Sequence, residues 1–210
     1  MRHVGVYGRY ARQASRLTVL GGVSRVKHDT VHGVTDGLAS SSAHADYDSD
    51  SLFSRLEYGH TFPLGRTVSV EPQAGLQYAR VKIDGFTEAG AGVLNLISRD
   101  RRLSSQRSIL GGRVLKTFGP ATAAGTRVEV RAAWAHEFNL AGSVPMRFLG
   151  DTAGNDFDLT SPARFQNSAI LGASVAGQAF RPVEFLTSID GDLGGAIRLW
   201  TASVGVRAEW

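Results

Sequence analysis

At 210 residues with 42% hydrophobic and 20% charged residues, the chain is one domain's worth of sequence, and no stretch approaches the roughly 18 consecutive apolar residues of a membrane-crossing helix. Strand-based membrane proteins stay open, because alternating strands average out in a hydropathy window. Zero cysteine excludes a disulfide framework and thiolate metal sites, and the net charge of +4 is scattered singly along the chain, unlike the basic patch of a nucleic-acid binder.

The chain opens with "MRHVGVYGRY", which is already strand-like. Val4, Val6, Gly8 and Tyr10 fall on one parity, His3, Gly5, Tyr7 and Arg9 on the other. No basic, apolar and small-residue leader precedes this run, so an export signal is expected outside the 210 residues. The first strand is predicted over 3–11, a short connection near 13–15, and a looser strand over 16–27. A long loop is expected over 28–50. Within it "HADYDSD" spaces Asp46, Asp48 and Asp50 as a calcium loop does, but lacks the following Gly and terminal Glu, so a solvated loop is the expectation.

The third strand, over 50–62, puts Leu52, Leu56, Tyr58 and Phe62 against Ser51, Arg55, Glu57 and Thr61, with Phe53 and His60 breaking the pattern. After a short turn at 63–66, the strand over 66–83 is cleaner. Val68, Val70, Pro72, Ala74, Leu76 and Tyr78 face Ser69, Glu71, Gln73, Gly75 and Gln77 across the chain. A long connection over 84–105 includes a short hairpin-like run near 92–98 and the dense Arg99-Asp100-Arg101-Arg102 segment, which carries its own acid.

A loose strand over 106–118 keeps Arg113 away from most of its apolar residues. The strand over 126–138 sets Val128, Val130, Ala132, Trp134, His136 and Phe138 against Arg127, Glu129, Arg131, Ala133 and Glu137. Another long connection, over 139–164, holds a second short run near 156–161. Strands over 165–180, 183–192 and 196–210 follow, joined by short connections. The last alternates Trp200, Ala202, Val204, Val206, Ala208 and Trp210 with Thr201, Ser203, Gly205, Arg207 and Glu209. Its two tryptophans, ten residues apart, stand about 24–26 Å apart along the axis of a barrel tilted by about 40–45°, near the height of a lipid-facing band.

The count is nine strands, many about 10–16 residues long where soluble strands average five or six. Aromatics gather at strand ends (Tyr10, Phe62, Tyr78, Phe118, Phe138, Trp200, Trp210), as interfacial girdles do. Short and long connections alternate. The predicted fold is all-β: an antiparallel up-and-down transmembrane β-barrel of the outer-membrane type. Tyr78, Phe138, Trp200 and Trp210 form its girdle, and Glu71, Arg113, Glu129, Arg131, Arg207 and Glu209 face its lumen. Bacterial barrels have even strand numbers and both ends at the periplasm. Nine strands that end at the short-turn side therefore imply an odd deficit before Met1.

Four stretches carry a family resemblance. "DYDSDSLFSRLEYGHTFPLG" (46–65), with Glu57, Tyr58 and Gly59, is similar to a characteristic strand-and-turn of the autotransporter (type V secretion) translocator domain. "EPQAGLQYARVKIDGFTEAGAG" (71–92) resembles its next strand and loop through Pro72, Leu76, Tyr78, Phe86, Thr87 and Glu88. "RVEVRAAWAHEF" (127–138) resembles the family's Trp-x-His-Glu-Phe strand end. "SVGVRAEW" (203–210) resembles the terminal signal read by the outer-membrane barrel assembly machinery, through Ser203, Gly205 and Trp210, departing at Ala208 where a bulkier apolar residue is usual.

The resemblance implies a twelve-stranded barrel of which residues 1–210 hold nine, the first strands, lumen helix, passenger and signal sequence lying outside. It implies a bacterial outer-membrane protein that anchors and exports an N-terminal passenger, in contact with membrane lipid, the assembly machinery and its own passenger. No cofactor, metal or nucleic acid is called for, and no enzyme activity. A stand-alone porin-like channel is the alternative, and an outer-membrane barrel hydrolase the weaker third. The hydrolase would enlist Phe157–Asp158 or the Asp190/Asp192 pair, yet the sequence has no Gly-x-Ser-x-Gly or His-Glu-x-x-His pattern, only His136-Glu137 on a strand.

Overall fold

The computed structural model describes residues 1–36, 39–119, 125–139, 143–160, 165–180, 183–194 and 197–208. In chain order the strands are β1 (Arg2–Arg12), β2 (Ser15–Asp36), β3 (Ala39–His60), β4 (Phe62–Pro63), β5 (Val68–Ile83), β6 (Phe86–Thr87), β7 (Leu96–Ser98), β8 (Arg101–Phe118), β9 (Thr126–Glu137), β10 (Ser143–Phe148), β11 (Phe157–Thr160), β12 (Asn167–Phe180), β13 (Val183–Gly194) and β14 (Ile197–Ala208). A single 3-10 turn, Gly92–Leu94, is the one helical element among the described residues.

Nine strands form one antiparallel meander in the order β1-β2-β3-β5-β8-β9-β12-β13-β14, with β4 added alongside β5. Among the described residues β1 and β14 do not pair, so each offers a free edge. One continuous register row runs Arg16↔Gly59↔Gln73↔Gly111↔Ala133↔Ile170↔Asp192↔Leu199. It begins one residue inside the short-turn end of β2 and finishes near the opposite end of the sheet, where β14 starts.

Alternation sorts the two faces as the sequence predicts. The outer face carries Val4, Val23, Leu52, Leu76, Leu110, Val130, Ile189 and Val204, all exposed, from 44% at Leu52 to 81% at Val204. No large side chain is fully buried among the described residues, and the buried apolar residues are only Ala43, Ala45 and Ala135. A soluble sheet of this size would bury its apolar face. Here that face is a continuous outward belt, and Val128, Leu76 and Val204 do not converge on a core.

The strands of the belt fall where the alternation places them, to within a few residues. The three long predicted loops do not. The 28–50 loop is a continuation of the β2–β3 hairpin, paired residue for residue out to Asp36↔Ala39. Asp46, Asp48 and Asp50 therefore stand on one face of a strand, opposite Asp29, Lys27 and Arg25, and form no loop. Beyond the belt one face of the hairpin is mostly polar and the other mixes His28, Thr30 and His32 with the small buried Ala43 and Ala45, so the hydrophobic contrast that signals a strand is missing.

The other two long connections pair with each other in a four-stranded sheet, β11-β10-β7-β6. That sheet is tied to the hairpin by reciprocal His44–Ala89 backbone bonds of 2.8 and 2.9 Å and by Asp84 N–H donating to Asp48 O at 3.0 Å. Tyr47 lies stacked between His28 (4.7 Å) and Phe86 (4.8 Å), and His32 Nδ1 meets the buried Glu88 at 2.9 Å. The short run at 92–98 contains β7, and β11 lies in the run near 156–161.

Candidate functional site: a charged inner face

Strand parity sends every second residue to the inside, and there the acids and bases of neighbouring strands meet in register. Glu71, only 6% exposed, is the hub. Its two oxygens accept from Arg16 Nη2 (2.7 Å), Arg113 Nη2 (2.9 Å), Gln73 Nε2 (2.9 Å) and Thr61 Oγ1 (3.0 Å). Arg16 also donates to Glu57 (2.9 Å), and Arg113 to Glu129 (2.9 Å). Glycine makes the hub possible: a Cβ on Gly59 would overlap Glu71 Oε1.

A second group lies further along the register row. Arg107 forks onto both oxygens of Asp192, at 2.6 and 2.9 Å, and also donates to Ser168. Arg131 pairs with Asp190 across β12, and here too a glycine leaves the space, since a Cβ on Gly172 would overlap both partners. Glu137 takes Ser105 Oγ at 2.6 Å and the Gln106 amide at 2.9 Å. Arg107 on β8 and Asp192 on β13 are three strands apart in the sheet, so their direct contact requires strong curvature with this face concave. The cavity it encloses, about 260 Å³, is lined by Arg16, Arg55, Gln77 and Ile109 among others.

Four of the six predicted lumen charges, Glu71, Arg113, Glu129 and Arg131, are on this inner face. Arg207 takes the register position opposite Glu184 on the same parity, and Glu209 lies outside the described residues. Sequence reasoning did not count Arg16, Glu57 or Arg107 among the lumen charges, and it did not foresee the fork to Asp192. Parity was the available signal for the three residues, but single charges on loosely sorted strands do not stand out, and the fork itself depends on curvature, which parity does not carry. Asp190 and Asp192, considered above as a hydrolytic pair, are each engaged by a guanidinium from another strand. His136 and Glu137 point to opposite faces, His136 outward to Asn167 Oδ1 (3.0 Å) and Glu137 inward.

Of the predicted girdle, Tyr78 and Trp200 are on the outer face, opposite Gln106 and Gly191. Phe138 follows the end of β9, 59% exposed, with its N–H on Gln106 O (2.8 Å). Trp210 lies outside the described residues. Ser203 faces inward and shares a 2.6 Å hydroxyl contact with Ser188, and Gly205 sits opposite Leu186.

An apolar belt outside, paired charges inside and a meander order are the anatomy of a membrane-spanning barrel wall. The chain is similar over 73 residues to two proteins called outer membrane protein A. One is from Rickettsia rickettsii (29% identity, 35% of this chain, 3% of the relative), the other from Rickettsia conorii (27%, 35% and 4%). It thus spans only a small fraction of those relatives. Its fold resembles the translocator domain of the autotransporter NalP from Neisseria meningitidis, with a TM-score of 0.69 at 14% identity, over 99% of this chain and 64% of that one. The model of the autotransporter beta-domain matches residues 2–185, most of the belt-forming sheet, and the chain belongs to that family.

Proposed function

We propose that this chain is part of an outer-membrane translocator barrel that anchors and exports an N-terminal passenger to the bacterial cell surface. The observation that carries the reading is the inverted sheet: apolar residues meet lipid while arginines and carboxylates line the concave side. The paired charges give the inner wall a rigid, hydrated surface past which an extended polypeptide travels without a greasy surface to adhere to. The free edges of β1 and β14 are closed by further strands of the same polypeptide, consistent with the 64% share of the NalP domain that the chain covers.

The role is conduit and anchor, without catalysis. Ser203, Gly205 and Trp210 are read by the barrel assembly machinery. The test places an epitope ahead of residue 1 in the parent polypeptide. Protease added to intact cells is expected to remove the epitope, and deletion of β13 and β14 to leave it protected. An epitope that stays protected with the whole sheet present overturns the reading.

A further inference from the structure

We propose that the outer face of β1, β2, β3 and β5 carries a seat for a phosphorylated lipid of the outer leaflet, with the phosphate on Arg2, Arg80 and Arg102 and an acyl chain over Val4, Val23 and Leu52. The seat is an open groove of about 570 Å³ in which these six residues take part. It rests on the membrane reading above and adds which lipid the wall selects.

Register explains why base and grease meet there. One outer-face row runs Arg2↔Arg25↔Asp50↔Lys82↔Arg102, and the row directly beside it runs Val4↔Val23↔Leu52↔Arg80. The apolar row is the rim of the lipid belt, with Val4 70% and Val23 53% exposed. The basic row begins one pleat further from the short turns. Arg80 belongs to the apolar row, and its long stem can lie along Leu52 while its guanidinium reaches the cations beyond.

Local acids do not neutralise the patch. Arg25 is engaged by Asp48 (2.8 Å) and Asp50 (3.8 Å), and Lys82 by Asp84 (2.8 Å). Among the described residues Arg2, Arg80 and Arg102 have no carboxylate within ion-pair distance, so three guanidiniums are left over at a membrane boundary. Planar guanidiniums suit phosphate oxygens, and an anionic headgroup joined to an acyl chain matches both halves of the groove at once. Free phosphate satisfies only the basic half.

The test inserts the parent polypeptide into phosphatidylcholine nanodiscs doped with bis-phosphorylated lipid A and counts retained lipid by native mass spectrometry, with dephosphorylated lipid A and millimolar inorganic phosphate as competitors. Retention of the phosphorylated lipid is expected, with weak displacement by either competitor. The combined Arg2→Ser, Arg80→Ser and Arg102→Ser variant is expected to lose about a hundredfold in affinity, from about fivefold per surface cation. Arg66→Ser, removing a cation at the opposite end of the sheet, is expected to change nothing. The single Arg102→Ser variant, at the exposed start of β8, gives the same readout with about a fivefold loss if the triple variant misfolds.

Equal retention of the dephosphorylated lipid, full displacement by inorganic phosphate, or an equal loss in Arg66→Ser overturns the lipid seat while leaving the barrel wall intact. Failure of the parent polypeptide to enter the phosphatidylcholine disc overturns the membrane reading and the seat together.

Discussion

Glu71 shows how much of this wall rests on single side chains. Two guanidiniums from strands on either side converge on one nearly enclosed carboxylate, and removing it takes away the shared counter-charge and leaves Arg16 only Glu57 and Arg113 only Glu129. Breaking a buried ion pair from one side costs about 3–5 kcal/mol, and the hydrated lumen places this site near the lower end. Glu71→Ala is therefore expected to lose about 3 kcal/mol in urea unfolding of the detergent-folded protein. Gly59→Ala, which leaves every charge in place, is expected to destabilise as well, because its methyl displaces the same carboxylate. A neutral Gly59→Ala would show that the hub has slack. At this scale the sequence was partly legible. Glu71, Arg113, Glu129 and Arg131 follow from parity on cleanly alternating strands. The Arg107–Asp192 fork follows from curvature, which one-dimensional pattern does not contain. Phe53, the residue that broke the alternation of β3, is on the inner face opposite Gly22, where a large ring meets no side chain across the pair.

Among the elements, the β2–β3 hairpin is where pattern and structure part. Its lipid-facing half alternates and was found. Its outer half has polar residues on both faces and reads as loop, although it pairs over its whole length. What holds that half in place is local: the His28–Tyr47–Phe86 stack, the His32–Glu88 contact and the backbone bonds to Ala89. Each aromatic pair is worth about 0.5–1.5 kcal/mol beyond its buried area. Tyr47→Ala is accordingly expected to speed amide exchange at His44 and Ala89 by about tenfold or more, leaving the β8–β9 amides unchanged. Uniform acceleration across both regions would mean that the loop sheet and the wall unfold as one unit. β10 escaped the sequence reading because Pro145, closely following Gly142 and Ser143, resembles a turn, yet Pro145 pairs with Asp158 on β11 just beyond the part of β10 that pairs with β7.

For the whole molecule the decisive property is which side is greasy. A charge placed at the lipid midplane of such a wall costs about 2–4 kcal/mol, whereas one facing the lumen is hydrated. Val130→Arg is expected to abolish or strongly slow insertion into phosphatidylcholine vesicles, read as loss of heat-modifiable gel mobility. Ser188→Lys, on the concave side, is expected to insert normally. If both insert alike, the belt is not in contact with acyl chains. The belt was the most legible feature of all, since a period of two survives any uncertainty in strand ends.

The row that starts at Arg16 and ends at Leu199 climbs almost the full height of the wall. A sheet sheared this way behaves like a screw thread, because any segment that joins β14 to β1 must absorb the accumulated offset. The number of joining strands and the bore of the finished tube are then no longer independent. A single-residue bulge in the seam, or one added hairpin, would change the calibre of the whole conduit without altering a single residue that faces it.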